Sequence, residues 1–331
     1  MLAIGVVGVG RIGKMHAQII ARELTGASLV AVADANADLA SSVAEQLQVR
    51  ALTVDELMNS PDIDAVAICS STDTHVGLIE KAAFAGKAIF CEKPISLNLD
   101  EVDRAIAAIK ENQVPFMVGF NRRFDPAHAS VHNAIAKGVI GAVHLARISS
   151  RDSAPPPVAY IKVSGGIFVD MMIHDFDMTG YLVDSPVVEV FAKGAVRIDP
   201  AIGEAGDIDT AMVMLTHADG TITTIDNSRQ AVYGYDQRVE VFGEKGMAAS
   251  ENPPTHSGMV RTSEGTSTPG LPFLFLDRYL DSYRLQWQAF INYVEQGGES
   301  PVSADAGRIP VVLAQACSQS LRTGLPVIIN N

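Results

Sequence analysis

The chain has 331 residues, enough for two domains of ordinary size. Hydrophobic residues make up 47% and charged residues 19%, the balance of a soluble globular protein and not of a disordered chain or a fibre. A formal net charge of −13 speaks against a nucleic-acid partner, which needs a basic face, and against an anionic membrane surface.

Apolar, β-branched runs at 3–9, 29–33, 65–69, 88–90 and 115–119 alternate with segments of helical spacing at 13–24, 37–46, 75–85 and 99–111. That alternation predicts a Rossmann-like α/β domain, a doubly wound parallel sheet covered on both faces, over residues 1–121. The rhythm then changes. Strands are expected at 143–149, 187–192, 211–216, 220–227 and 237–243, with one helix at 170–182 between them. Residues 250–272, rich in Pro, Gly, Ser and Thr, read as a long surface loop, and 279–294 and 305–322 as closing helices. Residues 122–331 therefore read as an α+β domain with a large, open, mostly antiparallel sheet, whose last helix packs back on the first domain.

Cys69, Cys91 and Cys317 are too scattered for a disulfide framework or a zinc knuckle and are expected as buried hydrophobes. The apolar start runs straight into glycines without a basic leader and reads as a strand, not a signal peptide. No apolar run is long enough to span a bilayer, so a cytoplasmic location is expected.

Gly8-Val9-Gly10-Arg11-Ile12-Gly13 follows the first strand and opens the first helix, the context a dinucleotide fingerprint requires. Gly8 permits the turn, Gly10 the approach of backbone to a pyrophosphate, and Gly13 the packing of helix on strand, with Arg11 and Ile12 in the same loop. Asp34 closes the second strand, placed to accept hydrogen bonds from the adenosine ribose. A 2′-phosphate there would meet like charge, and no arginine follows at Ala35 or Asn36, so NAD is expected over NADP.

Glu92-Lys93-Pro94 ends the fourth strand at the sheet edge where ligands of such folds bind, and the proline holds Lys93 extended. On one continuous helix Asp170, His174 and Asp177 would share a face. Such a stripe has three readings: a solvated face, a metal site, or a proton-handling group beside a hydride acceptor. The flanking apolar residues argue for burial, and the lack of a second histidine at ligand spacing ranks the metal last.

The glycine motif, Glu92-Lys93-Pro94 and Asp170…His174 together resemble the Gfo/Idh/MocA oxidoreductases along essentially the whole chain, most closely the inositol 2-dehydrogenases. Further pieces of the likeness are Gly119-Phe120-Asn121-Arg122-Arg123-Phe124-Asp125, Ser150-Arg151-Asp152, His174-Asp175-Phe176-Asp177 and Tyr233-Gly234-Tyr235-Asp236. The resemblance implies Lys93, Asp170 and His174 as the catalytic group, with Glu92 and Lys93 also touching NAD. It implies Ser70, Ser71, Thr72 and His75 as a loop lining the nicotinamide side, and a cis Lys93–Pro94 bond. Arg122, Arg151, Asp152, Asp177 and Tyr235 are the implied substrate contacts, alongside Asp170 and His174. Asp152 and the run Pro155-Pro156-Pro157 depart from the pattern, where the family tends to carry a neutral side chain at the first. The implied activity is NAD-dependent oxidation of a cyclic polyol, myo-inositol to its 2-keto product, by a homotetramer. Alternatives are another inositol isomer or an aldose as substrate, an NAD-retaining hydrolase or epimerase, or an NAD-binding protein without turnover.

Overall fold

The computed structural model describes residues 1–329, which form two compact units. One comprises Met1–Asn121 with Asp281–Val311; the other comprises Arg122–Leu280 and the chain from Val312 on.

In the first unit β1 (Leu2–Val7), β2 (Ala27–Ala33), β3 (Arg50–Ala51), β4 (Ala65–Ile68), β5 (Ala88–Cys91) and β6 (Phe116–Val118) form a sheet in the order β3-β2-β1-β4-β5-β6. Every pairing is parallel. β4 and β5 are buried at each residue, which is why they read as unbroken apolar runs. Helices α1 (Arg11–Arg22), α2 (Ala37–Leu47), α3 (Val54–Asn59), α4 (Thr72–Phe84) and α5 (Leu99–Asn112) make the crossovers. The chain winds one way from β1 through β2 and β3 and the other way from β4 through β5 and β6, so β1 and β4 frame a switch-point crevice at their carboxyl ends. β3 and α3 were not expected. β3 is two exposed residues, too short to show a period, whereas α3 is announced by the Thr53–Glu56 capping box.

The second unit opens with α6 (Pro126–Ala136), then β7 (Val143–Arg151), α7 (Val158–Ile161), α8 (Ile167–Asp170) and α9 (Ile173–Leu182). β8 (Val187–Ala195), α10 (Pro200–Glu204), β9 (Thr210–His217), β10 (Ile222–Ser228), β11 (Asp236–Gly243) and β12 (Gly246–Ser250) follow. A small hairpin, β13 (Val260–Thr262) with β14 (Gly265–Ser267), precedes α11 (Phe275–Gln296), α12 (Ala304–Thr323) and β15 (Val327–Ile328). The large sheet runs β12-β11-β7-β10-β9-β8-β15, with β7–β10 its one parallel pairing among the described residues. Its inner face packs Ile148, Val213, Leu215, Ile225 and Val241 against Val131, Met172, Phe176 and Leu313. Side chains alternate across a strand, so Met212 and Met214 of β9 turn to the other face, where Leu145, Phe242 and Met247 also stand exposed.

Three expectations are corrected here. The helix at 170–182 is two helices: α8 ends at Asp170 and α9 begins at Ile173, with Met171 and Met172 between them. It is also not the lone helix among the strands, since α7 and α10 lie there too and α6 precedes them. α6 carries a legible start, Asp125 accepting the N–H groups of Ala127 and His128 with Pro126 at the first position. The surface segment 250–272 contains the β13–β14 hairpin, which pairs Val260 with Ser267 and Thr262 with Gly265.

In the first unit, the stretch beginning at Asp281 seats Trp287 and Phe290 on Phe90 of β5, with ring centroids 4.4 Å and 5.9 Å away. All three rings are fully buried.

Candidate active site

The glycine loop fits a pyrophosphate. Gly8 has φ +85°, and a Cβ there would lie 2.5 Å from the Ser70 backbone. At Gly13 a Cβ would lie 1.8 Å from the Gly8 carbonyl oxygen, whereas at Gly10 it would meet nothing within 4 Å. Two glycines thus close the turn and the third leaves its outer side open to a ligand. Gly10 is the N-cap of α1 and has no side chain with which to cap, so the first turn of α1, which opens at Arg11 and Ile12, points its N–H groups toward the place a pyrophosphate would take. Asp34, just past β2, accepts the Val9 N–H at 2.8 Å and the Asn36 N–H at 2.9 Å. The expected ribose acceptor is therefore tied to the glycine loop itself.

The Ser70–His75 segment differs from the expected loop. Ser71 is the N-cap of α4 and Thr72 its first residue, so Thr72 and His75 are helical. Ser70 Oγ lies 2.6 Å from Thr74 Oγ1. His75 is buried, with Nδ1 2.8 Å from the Pro94 carbonyl and Nε2 3.1 Å from that of Ser70. Burial lowers its pKa, with the two carbonyls opposing. One imidazole thus joins the loop after β4 to the turn after β5. In that turn the Lys93–Pro94 bond is cis, as the resemblance implied.

The polar cluster of the second unit is arranged unlike the expected stripe. Asp170 pairs with Arg229 at 3.0 Å and accepts the Tyr160 hydroxyl at 2.7 Å. Asp177 is buried and accepts from Arg123 at 2.6 Å and 3.0 Å, and Arg123 lies over the Tyr181 ring. The helix break after Asp170 separates the two acids, so they serve different arginines. His174 is the second residue of α9, one turn beyond Asp170.

Arg122, expected to meet substrate, is buried and donates to Asp175 at 2.6 Å and Ser150 at 2.9 Å. Ser150 and Asn227 also donate to Asp175, completing a closed network beneath β7 and β10. Arg151 follows Ser150 on β7 and so turns to the opposite face, where it pairs with Asp226 at 2.7 Å and Asp236 at 3.5 Å and donates to Tyr233. Arg151 is not brought together with Asp170 or Asp175. Tyr235 is buried, edge-on to Tyr279 at 6.0 Å.

Asp152 extends β7 beside Arg229: its N–H donates to the Ser228 carbonyl and its own carbonyl accepts the Ala231 N–H. Burial pushes its carboxyl up to about 6; Asp170 and Asp175 add to the rise, while Arg229 and Arg122 oppose it. The Asp175 and Asp177 carboxyls are raised by burial as well, with their arginines opposing. The burial of Tyr279 pushes its phenol up to about 12.

Sequence reasoning missed Arg229, the fully buried cation at the centre of this cluster. A usable signal existed. Asp170, Asp175 and Asp177 sit in a largely apolar segment, and buried acids require cations, so the arginines of this half deserved pairing with them.

Residues 2–120 match the family model described as oxidoreductase family, NAD-binding Rossmann fold, and residues 128–249 match the GFO/IDH/MocA C-terminal domain. The chain belongs to the Gfo/Idh/MocA oxidoreductases, and its first unit is an NAD-binding Rossmann domain. Among its relatives is a myo-inositol 2-dehydrogenase of Thermotoga maritima, 45% identical over 322 residues that cover 97% of this chain and 96% of the relative. A myo-inositol dehydrogenase from Corynebacterium glutamicum superimposes with a TM-score of 0.95 at 39% identity, over 100% of this chain and 99% of that one. A myo-inositol dehydrogenase from Lactobacillus casei, solved with NAD(H) and myo-inositol, gives 0.90 at 26% identity, over 100% and 97%.

Proposed function

We propose that this protein is an NAD-dependent inositol dehydrogenase that oxidises myo-inositol to 2-keto-myo-inositol. The observation that carries this reading is the near-full-length likeness to a myo-inositol 2-dehydrogenase at 45% identity, in a chain that carries the glycine loop, Lys93, Asp170 and His174. NAD, when bound, supplies the hydride acceptor. His174 takes the proton of the reacting hydroxyl onto its imidazole, the side chain best matched to proton transfer near neutral pH. Asp170, its charge balanced by Arg229, stabilises the resulting imidazolium. The ammonium of Lys93 stabilises the alkoxide that develops as the proton leaves. Asp152, which like Asp170 is partly exposed, accepts a ring hydroxyl of the substrate, and Tyr235 bounds the same cluster.

The exposed row Leu145, Phe242 and Met247, with Met212 and Met214 nearby, supports assembly as a homotetramer through the open sheet face. Among the described residues no helix is long and apolar enough to cross a membrane, and we place the enzyme in the cytoplasm. The test is NADH absorbance with myo-, scyllo- and chiro-inositol and aldoses, with NADP in parallel. NADH formation fastest with myo-inositol is expected. Turnover with aldoses alone, or none with any polyol, would overturn the reading.

A further inference from the structure

The first unit contains a buried histidine for which the catalytic scheme has no use. His16, on the inner side of α1, is fully buried. Its Nε2 lies 2.8 Å from Glu92 Oε1, and its Nδ1 lies 2.9 Å from Nε1 of Trp287. An indole nitrogen donates and never accepts, so Nδ1 of His16 is the acceptor. The ring proton therefore sits on Nε2 and is donated to Glu92. Phe90, Tyr283 and Trp287 pack edge-on around the imidazole, with centroids 5.4–5.7 Å away.

Glu92 is held from three sides. Besides His16 on Oε1, its Oε2 accepts the main-chain N–H of Lys93 at 3.2 Å. On the third side stands Gly119, where a Cβ would lie 3.0 Å from Oε1 and 3.2 Å from the Glu92 Cα. A larger residue at 119 would displace the carboxylate. The carboxylate thus transmits the position of His16 to the backbone that bears Lys93.

We infer that His16 is a positioning residue for Lys93: the Trp287 indole donates to the imidazole, the imidazole orients Glu92, and Glu92 holds the Lys93 main chain. The chain of donors runs one way, from indole to imidazole to carboxylate, with the Lys93 N–H closing it from the other end. Its catalytic consequence rests on the inositol dehydrogenase reading above; its geometry does not.

The test pairs spectroscopy with kinetics in the full-length protein. With [15N]histidine labelling, the His16 ring, assigned by its loss in His16→Gln, is expected to carry its proton on Nε2. Trp287→Phe, which keeps an aromatic ring but removes the indole donor, is expected to shift the Nδ1 resonance while Nε2 keeps its proton toward Glu92. The Lys93 amide proton, bonded to a carboxylate in the wild type, should move upfield in His16→Ala and return most of the way in His16→Gln, whose amide can both accept and donate. In turnover, His16→Ala should lower kcat about 10- to 100-fold, the scale of a displaced catalytic group. KM for the polyol and the Kd for NADH should change far less, and His16→Gln should recover most of the loss. An Nδ1-protonated His16 in the wild type overturns the inference, as does a Lys93 amide unmoved in His16→Ala or a kcat loss that His16→Gln does not relieve. If the wild type oxidises no polyol while both NMR results hold, the functional reading falls and the positioning of Lys93 stands.

Discussion

Arg229 holds Asp170 with one guanidinium nitrogen at 3.0 Å and Asp207 with another at 3.1 Å, and the arginine side chain is wholly buried. Asp207 also accepts the N–H of Ile167, so the arginine fastens both ends of α8, at Ile167 and Asp170. Removing one partner of a buried pair strands the other's charge. Arg229→Met should therefore destabilise the protein by about 3 kcal/mol, read as a lower urea midpoint. Arg229→Lys keeps the charge but replaces the fork with a point, which cannot serve both acids. It should fold, yet turn over at least about tenfold more slowly, because Asp170 loses its fixed position. Wild-type urea midpoints in Arg229→Met would remove the clamp.

The glycine loop makes a separate prediction. Asp34 both faces the adenosine ribose in the dinucleotide-binding pattern and holds the Val9 N–H. Asp34→Ala should raise the Kd for NADH about 10- to 100-fold, the effect of losing hydrogen bonds to a charged group. Titration of nicotinamide fluorescence measures this directly. Affinity unchanged in the variant would take Asp34 out of the binding site.

How much of this was legible follows from what each signal depends on. The parallel sheet was, because β1, β4 and β5 are buried on both faces and so read as apolar runs, and the loop was, because Gly8 and Gly13 tolerate no Cβ. The stripe of Asp170, His174 and Asp177 failed because it assumed one continuous helix. The break falls at Met171 and Met172, apolar residues that fit the core and carry no stop signal of their own. Arg151 failed differently. It neighbours Ser150 and Asp152 in sequence, but on a strand adjacent side chains face opposite ways, so it joined Asp226 on the open face. Arg229, His16 and Trp287 were not legible as site residues because their roles depend on partners far away in the chain, such as Asp170 for the first and Glu92 for the second.

Asp152 should impose a pH dependence on substrate binding. With its carboxyl pushed up to about 6, it is protonated below that pH and ionised above it. A carboxylate that accepts a substrate hydroxyl binds better ionised, so the polyol KM should fall as pH rises from 5 to 7. Asp152→Asn should abolish that limb. Because the folded pKa lies above the unfolded one, stability is lost as pH rises from the ordinary carboxylate value of about 4 to about 6, and the loss levels off above that. Asp152→Asn should accordingly be more stable than the wild type at pH 8, by up to about 2 kcal/mol, and show no such advantage at pH 3. A KM profile identical in both proteins would exclude Asp152 from the substrate's contacts.

His128 should govern part of the acid stability. It is buried on α6, with Nδ1 2.8 Å from Ser250 Oγ and Nε2 3.3 Å from the Tyr279 hydroxyl. Burial brings its pKa down to about 4; Asp125 opposes the fall, while Arg278 and Arg122 reinforce it. The unfolded chain takes up this proton near the ordinary imidazole value of about 6.5, and the native protein takes it up only near 4. Between those limits the unfolded state binds more protons, so stability is lost as pH falls through the window and levels off below it. The loss from this one residue should approach about 3 kcal/mol at pH 4. His75 and His217, both lowered by burial, act in the same direction, and Asp152 acts against them. Comparing the wild type with His128→Gln cancels those shared contributions. Whatever constant offset the substitution introduces, the gap in unfolding free energy between the two proteins should shift in favour of the variant as pH drops from 7 to 4. Parallel pH profiles, with only a fixed offset, would show that His128 titrates alike in the folded and unfolded chain.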